Sequence, residues 1–415
     1  MKLEEHITKQ NVIPIILGGN IGAYGIARAF HEAYHINSII ISTVPTGPVQ
    51  NSTIVLNIIE PRMKELHVIK DRLIRLGEKT SKVPKLLIGS DDWHVELIIQ
   101  LRNELNEEWV IPYISHDMFK TLTDKSSFYK LCKELKIDCP QTMEIDMSNQ
   151  FDIPDIPFNY PIVIKPSNSI EYQNLKFSTK KKVYIAYNEA ELQMIVQSIN
   201  QAGYKGILLI QEFIPGGDTA MHVLTCYSST DKEIKLASMG QTLIEDHTPG
   251  GIGNPLAILT FSHSEVMEQA KKLLNYIGYI GFSNFDIKFD CRDGKYKFFE
   301  LNARLGRSNY YVTGQGHNIA KYYVEDFIKN RSLTLSNGVE EILFTLIPKH
   351  LLLKNLQGDE VLKKKVNVLY ARQKVKHPLR YYPIECNVKR RFYEITSTMN
   401  YYLKFRKYPT TQVGK

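Results

Sequence analysis

The segment FSNFDIKFDCRDGKYKFFELNAR, residues 282–304, constrains the fold of this chain more than any other. Polar and apolar residues alternate on both sides of a glycine-containing turn. The run therefore reads as an antiparallel hairpin in which alternate side chains share a face. Glu300, Asn302 and Arg304 stand in one row, spaced about 6.5–7 Å apart. Two registers are open. A two-residue Asp293-Gly294 loop sets Asp286 opposite Leu301 and sends the two acids to opposite faces. A three-residue loop, Arg292-Asp293-Gly294, with glycine in the left-handed position, sets Asp286 opposite Glu300 and Asn284 opposite Asn302. It also gathers Phe285, Ile287, Phe289, Phe299 and Leu301 on the reverse face. Only this second register keeps polar and apolar residues apart, and it is the one expected.

Two carboxylates and an amide oxygen on one open face are hard ligands. They suit Mg²⁺, which keeps several waters and binds phosphate oxygens beside one or two carboxylates. Arg304, at the end of the row, is placed to hold a phosphoryl group or a developing oxyanion. From the hairpin alone, a solvated face of ordinary cross-strand pairs is the alternative. Other segments add parts. Lys165 ends the apolar strand YPIVIKP, and Lys125 opens a helix whose first N–H groups and dipole favour anions. QEFIPGGD (211–218) is a strand whose backbone suits an adenine edge, with Asp218 beyond the turn to reach ribose hydroxyls.

A chain of 415 residues needs more than one core. VIPIIL (12–17), a glycine turn, a helix and SIIIS (38–42) make a β-α-β opening, continued by KLLIGS (85–90) and WVIPYIS (109–115). A first α/β domain is expected at 1–118. An α+β domain follows at 119–345, with a mobile lid at about 119–205 and a catalytic subdomain at about 206–345. The remainder, 346–415, is basic and aromatic-rich. It holds 16 Lys and Arg against 4 Asp and Glu from Lys349 onward, which more than accounts for the net charge of +8. The five cysteines have no CxxC spacing, which argues against a disulfide framework or a zinc site. With a polar N-terminus and no apolar run of about 20 residues, a cytoplasmic protein is expected.

In this order the parts resemble the ATP-grasp superfamily of carboxylate–amine ligases. IPIILGGNIGAYGIARAFHEAY, DKSSFYKLC, IVIKPSNSIEY, QEFIPGGDTAMHVL, EDHTPGGIGNP and GFSNFDIK…FFELNARLGRSNYYVTGQGHN are similar to the D-aspartate ligases of Gram-positive peptidoglycan synthesis. The resemblance implies an ATP-grasp fold behind a Rossmann-like N-terminal domain, with ATP and two Mg²⁺ ions. Lys125 and Lys165 would contact ATP phosphates, and Gln211, Glu212, Phe213 and Ile214 would form the adenine hinge. Asp218 would take the ribose. Asp286, Glu300 and Asn302 would hold the metals, and Arg304 would act in catalysis with Lys165. D-aspartate would be activated and joined to the lysine amine of a UDP-linked muramyl peptide, with Arg28 or Arg307 meeting the aspartate side chain. Many members cover the phosphates with a glycine-rich loop after the second lysine. Here that loop is PSNSIEYQN, with no glycine, and Ser167, Asn168 and Ser169 stand in as donors. The TPGGIGN loop (248–254) and the lid are expected to keep water from the acyl-phosphate.

Two other classes compete. GGNIGAYG places Gly18, Gly22 and Gly25 after a strand, as in a dinucleotide site. Yet no acid lies between Glu32 and Glu60, where the second strand should carry one. The basic, aromatic stretch KRRFYEITSTMNYYLKFRK (389–407) suits weak attraction to an anionic membrane surface, and no nucleic-acid partner is expected.

Overall fold

The computed structural model describes residues 10–80, 82–148, 153–168, 172, 175–337, 340–356, 358–385 and 387–409. Ser169, one of the expected loop donors, and Cys386 lie outside the described residues. The first sheet is parallel: β1 (Ile13–Leu17), β2 (Ser38–Ser42), β3 (Val55–Ile59), β4 (Lys85–Gly89) and β5 (Trp109–Val110), in the order β3-β2-β1-β4-β5. β1, β2 and β4 are buried along their whole length, which is why they read as unbroken apolar runs. Helices α1 (Ile21–Tyr34), α2 (Leu66–Lys79) and α3 (Asp92–Gln100) follow β1, β3 and β4. The strand order reverses beside β1, so a crevice opens past the carboxyl ends of β1 and β4.

A second, antiparallel sheet follows α4 (Lys125–Glu134). It comprises β6 (Thr142–Asp146), β7 (Ile162–Pro166), β8 (Tyr184–Ala186) and β9 (Ile207–Glu212), ordered β6-β9-β7-β8. Helix α5 (Glu189–Gln201) buries Leu192, Val196 and Ile199 in a core shared with Ile162, Ile164 and Ile210. β9 is an inner strand of this sheet, so on sheet membership we place the subdomain boundary after Glu212 rather than at 205.

The third sheet carries β10 (Met221–Ser228), β11 (Ile234–Glu245), β12 (Pro255–Phe261), β13 (Gly281–Asp290) and β14 (Lys295–Asn302), with helix α6 (Ser264–Tyr276) after β12. β15 (Ser336–Asn337) pairs with β11, and β16 (Leu343–Thr345) and β17 (Val375–Lys376) extend the edge beyond β12. Thus residues past 346 contribute a strand to this sheet. They include the long helix α7 (Val388–Lys407), which lies against the first domain.

The hairpin has the expected register at its polar end: Asn284 faces Asn302 and Asp286 faces Glu300. The turn is not the expected one. Asp290 pairs with Lys295 across a four-residue loop, Cys291 to Gly294, with Gly294 at φ +73°. That loop alone would leave the acids out of step. A bulge at Phe299, between Ile287↔Phe298 and Asp286↔Glu300, restores the register. It also exchanges two aromatic side chains. Phe298, not Phe299, is buried with Phe285, Ile287 and Leu301, while Phe299 is half-buried on the polar side and Phe289 is only half-buried.

Candidate active site

Asp286, Glu300 and Asn302 share one face of β13 and β14, and Arg304 follows just past the end of β14. Asn302 Nδ2 donates to Asp286 Oδ2 at 3.1 Å, and Arg304 donates to Asn302 Oδ1 at 3.2 Å. Burial, reinforced by the charge of Glu300, pushes the Asp286 carboxyl up to about 7. Burial acts on Glu300 in the same sense. Lys125 overrides it and holds that carboxyl down to about 2, through an ion pair of 2.7 Å that also raises the lysine against its own desolvation. Arg304, despite its own burial, is kept firmly charged by Asp92, which accepts from its Nη2 at 2.7 Å.

Lys165 stands at the end of β7, and burial, then repulsion from Lys125, brings its ammonium down to about 7. Its Nζ donates to Tyr129 OH at 2.9 Å, and Tyr129 donates to the carbonyl of the bulged Phe299 at 2.7 Å. The ammonium lies 5.6 Å from the Phe299 ring centroid. The bulge therefore ties the hairpin to the lysine strand and supplies part of the lysine's floor.

The helix start at Lys125 is less open to an anion than expected. Asp124 caps it, accepting from Ser127 N at 2.8 Å, and Ser126 N donates to Ser167 Oγ at 3.0 Å. Ser167 in turn donates to Asp124 at 2.5 Å, so its hydroxyl is spent holding β7 to α4 rather than facing a ligand. Gln211 is wholly buried and donates to Thr142 Oγ1 at 2.7 Å. Glu212 accepts from Gln141 N at 2.9 Å and from Arg292 of the hairpin turn at 2.8 Å. Phe213 and Ile214 lie past the end of β9, outside its ladder. Asp218 accepts from His247 Nε2 at 2.8 Å and from Glu245 N at 2.9 Å. Burial, then the charge of Asp218, raises Glu245 to about 7.

Sequence reasoning missed Asp92, Tyr129, Glu245, His247 and Lys288. Asp92 stands just past the end of β4, at the strand-order reversal, and that position was a usable signal. Lys288 follows Asp286 by two residues, so alternation placed it on the same face. Its ammonium sits 5.5 Å from the Phe213 ring centroid.

A cavity of about 350 Å³ opens in the crevice past β1 and β4, lined among others by Asn20, Asp91, His94, Arg307 and Tyr393. Arg307 thus lies where a substrate can meet it. Arg28 does not: it pairs with Glu32 at 2.7 Å and donates to the carbonyls of His377, Pro378 and Arg380. It is a staple for the C-terminal segment. The glycines of GGNIGAYG are also explained by packing. A Cβ on Gly22 would lie 3.0 Å from Arg307 O, and one on Gly25 2.9 Å from Asn309 Oδ1. They let α1 approach the segment after Arg304.

The donor set fits Mg²⁺. Among the described residues no three His, Cys, Asp or Glu cluster as a metal cage. Two carboxylates and an amide leave positions for water and phosphate oxygens, the arrangement this ion prefers. Mg²⁺ bound there would neutralise charge on a transferred phosphoryl group.

Comparison with known proteins agrees with this arrangement. Residues 124–321 match the family model described as carbamoyl-phosphate synthase L chain, ATP binding domain. D-aspartate ligase of Enterococcus faecium is 37% identical over 331 residues, covering 78% of this chain and 79% of that protein. Among solved structures, L-amino acid ligase from Bacillus licheniformis has a TM-score of 0.55 at 15% identity, over 77% of this chain and 75% of that one. The biotin carboxylase domain of 2-oxoglutarate carboxylase from Hydrogenobacter thermophilus, solved with MgADP, ADP and bicarbonate, has a TM-score of 0.56 at 13% identity, over 77% of this chain and 70% of that one. The two structures share the fold; the enterococcal enzyme is similar in sequence over more than three quarters of both chains. This chain belongs to the ATP-grasp family of ATP-dependent carboxylate–amine ligases, in the group that includes D-aspartate ligase.

Proposed function

We propose that the enzyme activates D-aspartate and joins it to the lysine side-chain amine of a peptidoglycan precursor, a UDP-linked muramyl peptide. The observation that carries the site is the convergence of Asp286, Glu300 and Arg304 from the hairpin with Lys125 of α4 and Lys165 of β7. The 37% identity to D-aspartate ligase supports the substrate. In this reading Lys125 releases Glu300 and, with Lys165, takes the ATP phosphates. Gln211 to Ile214 receive the adenine and Asp218 the ribose. Asp286, Glu300 and Asn302 hold two Mg²⁺ ions. The substrate carboxylate attacks the γ-phosphate, giving an acyl-phosphate and ADP. Arg304, aimed by Asp92, steadies charge on the acyl oxygen as the amine attacks and phosphate leaves. The 350 Å³ crevice, with Arg307, receives an amino-acid carboxylate. A cytoplasmic setting, with the C-terminal segment drawn to the anionic inner face of the membrane, completes the proposal.

The test is phosphate release from ATP and Mg²⁺ over a panel of D- and L-amino acids, with and without a UDP-linked muramyl pentapeptide. Release with D-aspartate only when the peptide is present is the expected result. Release with a different amino acid or amine would keep the ligase and replace its substrate.

A further inference from the structure

Helix α7 is amphipathic in an unexpected sense, because it turns an apolar face to solvent. Its inner face is clamped. Arg390 is buried, pairs with Glu385 at 2.6 Å, and donates to the carbonyls of Pro48 and Gln50, each at 3.1 Å. Tyr393 lies so close to Gly47 that a Cβ there would meet the ring at 2.0 Å. Tyr401 and Phe405 pack on the core, and Lys404 reaches Asp246 at 3.1 Å. These contacts fix the rotation of the helix. The opposite face carries Val388, Phe392, Ile395, Met399, Tyr402 and Leu403, between 43% and 84% exposed. At 3.6 residues per turn those six positions fall within an arc of about 100°.

The charges around the stripe select its partner. Exposed Lys389 and Lys407 border it on one side and Arg391 on the other, and Arg406 closes its end. The helix has a single acid, Glu394, which is half-buried and lies off the arc. An apolar face whose charged rim residues are all cations, with the neutral Thr396 and Asn400 between them, matches the boundary between acyl chains and anionic headgroups, where an amphipathic helix lies in the plane of the bilayer. Among the described residues no helix is long and apolar enough to cross a membrane, so the contact is peripheral.

We propose that α7 docks the enzyme flat on an anionic lipid surface, inserting Phe392, Ile395, Met399 and Leu403 while Lys389, Arg391, Arg406 and Lys407 meet the headgroups. This goes beyond general attraction of a basic segment, since it assigns the face and requires insertion. It does not rest on the identity of the ligase substrates.

The experiment is co-sedimentation of the full chain with vesicles of phosphatidylcholine, with and without phosphatidylglycerol. Wild type should bind the anionic vesicles and lose at least about tenfold in affinity on pure phosphatidylcholine or at high salt. The double substitution Phe392→Asp and Leu403→Asp should also lose at least about tenfold, with phosphate release by the soluble enzyme unchanged. As an independent reading, Phe392→Trp should show a blue shift of the added fluorescence on anionic vesicles only. Absence of binding by wild type, equal binding by the double variant, or no shift would overturn the proposal. So would sedimentation velocity showing a dimer that Phe392→Asp dissociates, because a second copy would then cover the stripe.

Discussion

At the scale of single residues, the site is a set of charges held in mutual tension until substrate arrives. Glu300 and Arg304 each have one strong partner, Lys125 and Asp92. Glu300→Gln and Arg304→Ala are therefore expected to lower turnover by about a thousandfold or more, with thermal unfolding close to wild type. Wild-type rates in either would remove that residue from the site. Asp92→Asn keeps the shape and removes the charge that aims Arg304. It should cost about ten- to a hundredfold in kcat with little change in the KM for ATP, as expected of a positioning residue. Lys165 supplies a pH test. Its ammonium titrates near 7 before nucleotide binds, and phosphate would raise it. Above pH 7 the free protein has lost this proton and must regain it, so ATP affinity falls as pH rises. Calorimetry at pH 8 in buffers of different ionisation enthalpy should show net proton uptake on ATP binding, and Lys165→Met should abolish that uptake.

At the scale of elements, the same hairpin shows what alternation can and cannot tell. Polar residues on one face required Asp286 to oppose Glu300, and the structure meets that requirement with a different turn and a bulge. The bulge was illegible because its cause lies elsewhere in the fold: Tyr129 takes the Phe299 carbonyl, and Lys165 uses the ring. Strands β10, β11 and β12 were missed for another reason. Their buried hydroxyls look like interruptions, yet Thr225 donates to Asn284, Ser238 to Gln315 and Thr260 to the Glu340 carbonyl. Partners so distant in sequence cannot be read from local pattern. Phe299→Ala tests the bulge. It keeps the backbone register and removes the floor under Lys165, so the KM for ATP should rise by about tenfold while stability falls by about 1 kcal/mol. An unchanged KM would confine the bulge to a structural part.

At the scale of the molecule, a segment that reads in sequence as a basic tail is a strap joining the third sheet to the first domain. It lends β17 to the sheet, receives Arg28 on three of its carbonyls, and sends Glu385 and Arg390 into the first domain. Glu385 accepts from Thr53 N at 2.6 Å, from Ser52 Oγ at 3.1 Å and from Tyr24 OH at 3.1 Å, while pairing with Arg390. Both members of that pair are almost fully buried, so removing one strands the other's charge. Arg390→Met should cost about 3–5 kcal/mol in denaturant unfolding. Adding Glu385→Gln should return part of that loss, because the stranded carboxylate is gone while an acceptor for Thr53 remains. The strap also brings Tyr393 to the rim of the 350 Å³ crevice. Loosening it should therefore raise the KM of the substrate bound there while leaving that for ATP, whose expected contacts lie between the other two sheets. A double variant no more stable than Arg390→Met alone would show that the two charges do not act as a pair.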